Sequence, residues 1–252
     1  MADHIVTVRR DRFIKWLSAI ACGLAFASLV VDLTAHYTGR QDLGGLRPRF
    51  DLDAEGNFPT LFSTVLILCA AGLAGLTGHL ASVWREKDRL YWTAIAWILV
   101  VMAIDEQTPF HNLATIPVRQ ALGGVPSALR FAWVIPALAV SLLVAVVFLR
   151  FFLRLPSRTR FGIALASAIY VGGAVGMEML AGLYLGWGLV KRDAFYILIF
   201  TIEETMEMAG MIVFIHYVLR HIEDRYREGR WVVRQSPLPT LRVPAQQTAM
   251  ER

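Results

Sequence analysis

The sequence predicts an all-α membrane bundle of six transmembrane helices with both termini cytoplasmic, and three observations carry that reading. Hydrophobic residues fill 56% of the 252 positions and mean hydropathy is +0.51, more apolar than a soluble core of this size requires. These residues form long blocks near the ~20 residues that cross a bilayer, with no amphipathic striping. Lys and Arg collect at the block ends, mostly on one side, which sets the direction of crossing.

Blocks bounded by charges or by Pro and Gly give spans from Arg12 to His36, Thr60 to Trp84, Leu90 to Asn112, Ala128 to Leu155, Phe161 to Trp187 and Ala194 to His221. The first follows Arg9, Arg10 and Arg12 and has no small-residue cleavage pattern after it, so it is expected to be a retained anchor and not a signal peptide. One side of the membrane receives the N-terminus, the Arg85/Lys87/Arg89 loop, the Arg150/Arg154/Arg158/Arg160 loop and the C-terminal arginines; this side is the cytoplasm. Residues 1–228 form the transmembrane domain. Residues 229–252 form a basic tail containing Pro237, Pro239 and Pro244, a composition that favours disorder and offers contact with anionic lipid or a partner subunit.

The net charge of +5 finds its partner in lipid headgroups, and no nucleic-acid binding is expected. Trp84, Tyr91, Trp92 and Trp187 stand at span ends as interfacial anchors. Cys22 and Cys69 lie inside apolar blocks without zinc-ligand spacing and read as small packing residues. Gly72, Gly75 and Gly78, then Gly172 with Gly176 and Gly182 with Gly186, are spaced for close helix contact within the bundle. The run Asp51-Leu-Asp53-Ala-Glu55-Gly56-Asn57 opens like a calcium loop, but Phe62 occupies the position of the closing acid. A turn capping the second span is therefore expected.

Carboxylates inside the apolar blocks are the feature that asks for a function. The third span closes with Asp105 and Glu106 before Pro109 and His111, the fifth holds Glu178, and the sixth holds Glu203, Glu204 and Glu207. Counted at ~1.5 Å per residue from the outer span ends, these acids lie ~10 to 20 Å deep, so they are expected to meet. Glu207 shares a helix face with Glu203 or Glu204. Three ionised, unpaired acids on one span would cost roughly 8 to 10 kcal/mol. Every Lys and Arg lies at or beyond a span end, which leaves protons, imidazole, water or a bound cation as compensation. Pro109 disfavours helix at Thr108 and turns His111 back toward the acids; Asp32 and His36 read as an interfacial pair.

Carboxylates with imidazole inside a helical bundle are the donor types of carboxylate-bridged di-metal proteins. The leading expectation is thus a divalent metal, iron or zinc, held by Asp105, Glu106, His111, Glu178, Glu203, Glu204 and Glu207. No Glu-x-x-His occurs, which counts against an oxygen-activating di-iron centre. Met177, Met179, Met206, Met208 and Met211 around the acids read as flexible packing.

The segment Asn57-Phe-Pro59-Thr60-Leu-Phe62-Ser63, with Asp105-Glu106, Phe110-His111 and the acids of the last span, resembles a widespread group of uncharacterised bacterial multipass membrane proteins. There, Asn-x-Pro-Thr-x-Phe-Ser opens one span and Asp-Glu-x-x-x-Ile-His-Glu closes the next. Asn112 stands in place of that final Glu. The resemblance implies a bacterial inner-membrane protein and assigns no activity.

Three functions compete on these residues. The first is a membrane metalloprotein, a hydrolase or an oxidoreductase if it is an enzyme, acting on a lipid or isoprenoid substrate that enters laterally. The second is a proton or cation pathway, with Asp105 and Glu106 at its outer mouth. The third is an accessory subunit of a larger membrane complex.

Overall fold

The computed structural model describes residues 5–6, 10–40, 42–54, 56–226 and 231–232. Most of the expected tail, 229–252, lies outside them. The architecture is helical: α1 (Arg10–Thr38), the short α2 (Arg47–Phe50), α3 (Phe58–Val83), α4 (Arg89–Gln107), the short α5 (Thr115–Ala121), α6 (Val134–Arg154), α7 (Ser157–Val171), α8 (Glu178–Gly186) and α9 (Ala194–Tyr226). Beyond the helices, Ile5–Val6 pairs antiparallel with Trp231–Val232.

Five helical runs are long and apolar enough to cross a membrane: α1, α3, α4, α6 and the continuous Ser157–Gly186. Their outward faces carry large exposed apolar side chains such as Phe26, Val65, Trp97, Leu142 and Phe161, the surface that lipid rather than water would cover. The sixth expected span is α9, which is 33 residues long, about 50 Å. It falls outside the five because Glu203, Glu204, Glu207 and its histidines interrupt the apolar run. Yet α9 is the central helix, packing against α1, α3 and α7 through buried residues including Ile197, Met208, Ile215 and Val218.

Local chemistry explains the boundaries. Asn57 caps α3, its side chain accepting from the Thr60 amide at 3.1 Å and donating to the Asp51 and Ala54 carbonyls at 2.6 Å each, with Pro59 in the first turn. The capping reading of this loop is correct. Replacing Asn57 with Ala is expected to cost about 1 kcal/mol or somewhat more, read as a lower midpoint in thermal unfolding in detergent. α4 stops at Gln107, short of the expected Asn112, because Pro109 drives Thr108 out of helical geometry, to φ −137°. α6 starts at Val134, later than Ala128, since Ser127–Leu129 forms a separate 3₁₀ turn. α7 and α8 are joined by a π-helical segment, Gly172–Met177.

Most of the paired glycines do lie at helix contacts. A Cβ on Gly75 would meet Ala96 and one on Gly78 would meet Thr93, which is how α3 seats on α4. Gly182 and Gly186 lie against Ser127, while Gly72 and Gly176 face open space. Gly162 receives the Tyr217 ring, and Gly210 lies against Tyr170 and the Ala166 carbonyl, bringing α7 and α9 into contact. Of the cysteines, Cys69 is half-buried, but Cys22 is exposed on α1 and does not pack.

Ion pairs join the helix ends on the side of the N-terminus: Arg10 with Glu223, Arg154 with Asp88, and Arg225 with Glu86 at 3.0 Å. These pairs are partly exposed and each is worth little. The opposite end holds a buried network. Asp32, fully buried on α1, is 3.0 Å from the Arg47 guanidinium and accepts from Ser28 at 3.2 Å. Its partner is therefore Arg47 and not His36, which stacks edgewise on Tyr37. Arg47 lies 3.7 Å from Asp51, Arg192 reaches Asp51 at 3.2 Å and Asp53 at 3.5 Å, and Lys191 reaches Asp53 at 3.6 Å. Burial pushes the Asp53 carboxyl above its ordinary range; Lys191 and Arg192 pull it down, and Asp51 adds to the rise. With Arg47, Lys191 and Arg192 around them, Asp51 and Asp53 are engaged by side-chain cations.

Candidate functional site

The antiparallel run of α8 and α9 brings the acids of the last two helices level. Glu178 is eight residues from the C-terminal end of α8, about 12 Å, and Glu203 nine residues from the start of α9, about 14 Å. The two carboxyls are in hydrogen-bonding contact. Glu207, one turn deeper, meets the hydroxyl of Tyr170 on α7 in the same way. The charge of Glu106, at the end of α4, is felt at both Glu207 and Tyr170, although α4 takes its main packing from α3.

The π-helical segment makes this meeting feasible. A π turn inserts one residue into the i→i−4 ladder and re-aims the side chains beyond it, here Glu178. Its Gly173 lies so close to α9 that a Cβ would fall 2.9 Å from the Glu203 carbonyl oxygen and 3.3 Å from Glu207 Cγ. Gly173→Ala is therefore expected to lower stability by about 1 to 3 kcal/mol. Gly176→Ala, where no atom lies within 4 Å of the new carbon, should be near neutral in the same thermal unfolding assay.

The chain turns His111 back toward the acids, as Pro109 leads one to expect. Phe110–Ala114 forms a 3₁₀ turn, and the turn carries His111 back to Asp105. The His111 amide donates to Asp105 Oδ1 at 3.0 Å, and its Nδ1 lies 2.7 Å from Oδ2. Both side chains are about a quarter to a third exposed, so this dyad lies at the rim. Trp133, just before α6, links it to the interior: its ring centroid is 4.5 Å from that of His111, and its indole N–H donates to Glu178 at 3.4 Å. Gln107 fixes the end of α4 by donating to Thr64 Oγ1 at 2.7 Å.

Asp105 with His111 and Glu178 with Glu203 thus form pairs, Glu207 pairs with Tyr170, and Glu106, Glu204 and Glu207 are half-buried beside them. Among the described residues, no group of three or more His, Cys, Asp or Glu is placed to hold a metal ion. Four of the seven expected donors form two pairs, Asp105 with His111 and Glu178 with Glu203. Sequence reasoning missed Trp133, Tyr170 and Gln107. Only Tyr170 left a signal, as one of two phenols, with Tyr184, in the same apolar run as Glu178.

Comparison with curated proteins and with solved structures finds no match. Residues 16–222, most of the chain, match the family model of a domain of unknown function, DUF8692, and the chain belongs to that family.

Proposed function

We propose that the chain is a six-span protein of a bacterial inner membrane, both termini cytoplasmic, whose acids form a proton relay opening at the outer face. The observation that carries this reading is the linked series of pairs: Asp105–His111 at the rim, Trp133 against both His111 and Glu178, then Glu178–Glu203. Such a series suits proton transfer better than metal binding. Two touching carboxyls in an apolar wall cannot both carry charge cheaply, so the pair favours a shared proton. An imidazole at the rim is the side chain best suited to exchange that proton with water near neutral pH. The α9 acids need no basic partner in this reading, because protonation itself removes most of the cost of burying them. Reading α9 as the sixth span rests on the same physics: a helix whose acids are protonated is apolar enough to cross.

The test is proton flux in liposomes containing the purified chain and a pH-sensitive dye, under an imposed gradient. Protein-dependent flux is expected, unchanged by a chelator. Stoichiometric divalent metal in protein purified without chelator, with no flux, would overturn the relay and return the site to metal chemistry.

A further inference from the structure

A second site lies away from the acids, at the C-terminal end of α1. Residues 40 and 42–46 lie over the last turns of that helix and leave a groove of about 470 Å³, within the range of small-molecule sites. Its wall is apolar, made by Val30 and Val31 of α1 with Leu43 and Leu46 of the loop, and its polar lining includes Arg40 and Asp42. Loop geometry sets this shape. Leu43, Gly44 and Gly45 all have positive φ, between 48° and 81°, and Asp42 accepts from the Gly45 amide at 2.9 Å. The buried Arg47–Asp32 pair fixes the loop directly behind the groove.

Three features point to the occupant. Val30 lies eight residues below the end of α1, about 12 Å, so the apolar wall runs along the upper acyl region of a membrane that α1 crosses. Arg40 lies past the helix end, at headgroup level, and its guanidinium makes no hydrogen bond or ion pair among the described residues. Asp42 carries the opposite charge two residues on and is not paired with Arg40, although both are exposed on the same groove. A cation and an anion, separate at headgroup height above an apolar wall, complement a phosphate and an ammonium above an acyl chain.

We propose that this groove binds one zwitterionic aminophospholipid, its phosphate at Arg40, its ammonium at Asp42 and an acyl chain along Val30, Val31 and Leu46. The site rests on α1 crossing the membrane and is independent of the relay. A free phosphate would lack the apolar contact, and an anionic lipid without an amine would leave Asp42 opposed by like charge.

The full chain is reconstituted in nanodiscs of equal parts phosphatidylethanolamine, phosphatidylglycerol and phosphatidylcholine, and the lipid retained after mild detergent release is counted by native mass spectrometry. One phosphatidylethanolamine per chain is expected, favoured about tenfold over either competitor, roughly the weight of one charge-assisted hydrogen bond. Arg40→Gln and Asp42→Asn should each remove that preference, while Arg158→Gln, an exposed arginine elsewhere, should leave it intact. Both test side chains are exposed, so folding is not at stake. Absence of retained lipid, a preference for phosphatidylglycerol or phosphatidylcholine, or an unchanged preference in Arg40→Gln would each overturn the proposal.

Discussion

Glu203→Gln, reconstituted in liposomes, is expected to reduce proton flux to the level of protein-free vesicles while leaving the unfolding free energy within about 1 kcal/mol of the parent. Glutamine fills the same volume and still hydrogen-bonds Glu178, so little packing changes. It cannot bind and release a proton on the relay timescale, and Glu203 is the α9 carboxyl in contact with Glu178. Glu203→Asp should retain part of the flux, because the acid survives one methylene further back. His111→Gln should slow flux without abolishing it, since Asp105 remains at the rim. Unchanged flux in Glu203→Gln would remove the relay, whatever the other two variants show.

Arg47→Met carries the largest expected loss of stability, about 3 to 5 kcal/mol. The substitution keeps most of the buried side-chain volume but removes the cation that lies 3.0 Å from Asp32 and 3.7 Å from Asp51, two carboxylates almost wholly out of solvent. Asp32 would keep only Ser28, and Asp51 only Arg192 and the Asp53 amide. An orphaned buried charge costs far more than the pair contributes, so a compensating change should recover most of the loss. Arg47→Met with Asp32→Asn is the direct check, by equilibrium unfolding in detergent. A single variant as stable as the parent would show that water already reaches this network.

How much of this is legible in the chain depends on how local each determinant is. The five apolar runs come from block length, and the Asn57 cap and the Pro109 stop are written in adjacent residues. The meeting of Glu178 and Glu203 is legible as depth, because a short connection between antiparallel helices places residues equally far from it at one level. Which side chain touches which is not legible. The π turn at Gly172–Met177 shifts the register of Glu178 by a residue, and helix-wheel counting assumes an unbroken 3.6 period. The break at Pro109 does bring His111 toward the acids, but its partner is decided by a 3₁₀ turn that nothing in the sequence specifies. For Asp32 the sequence offers His36, its neighbour one turn on. The true partner, Arg47, lies fifteen residues away across a chain reversal, and pairing across a reversal is a tertiary fact.

The Asp32–Arg47–Asp51–Arg192 network also bears on the order in which the chain is made. Asp32, Arg47 and Asp51 leave the ribosome early, within a single loop and the helix before it, whereas Arg192 comes 141 residues after Asp51. Until it arrives, Arg47 is the one cation of the network against Asp32, Asp51 and Asp53, two positive charges short. Translation of the segment just before α9 supplies Lys191 and Arg192 together, so the first and last long helices become tied at one end only when synthesis is nearly complete. A ribosome-bound chain halted before residue 191 should therefore leave this loop open to protease, and one halted after α9 should protect it.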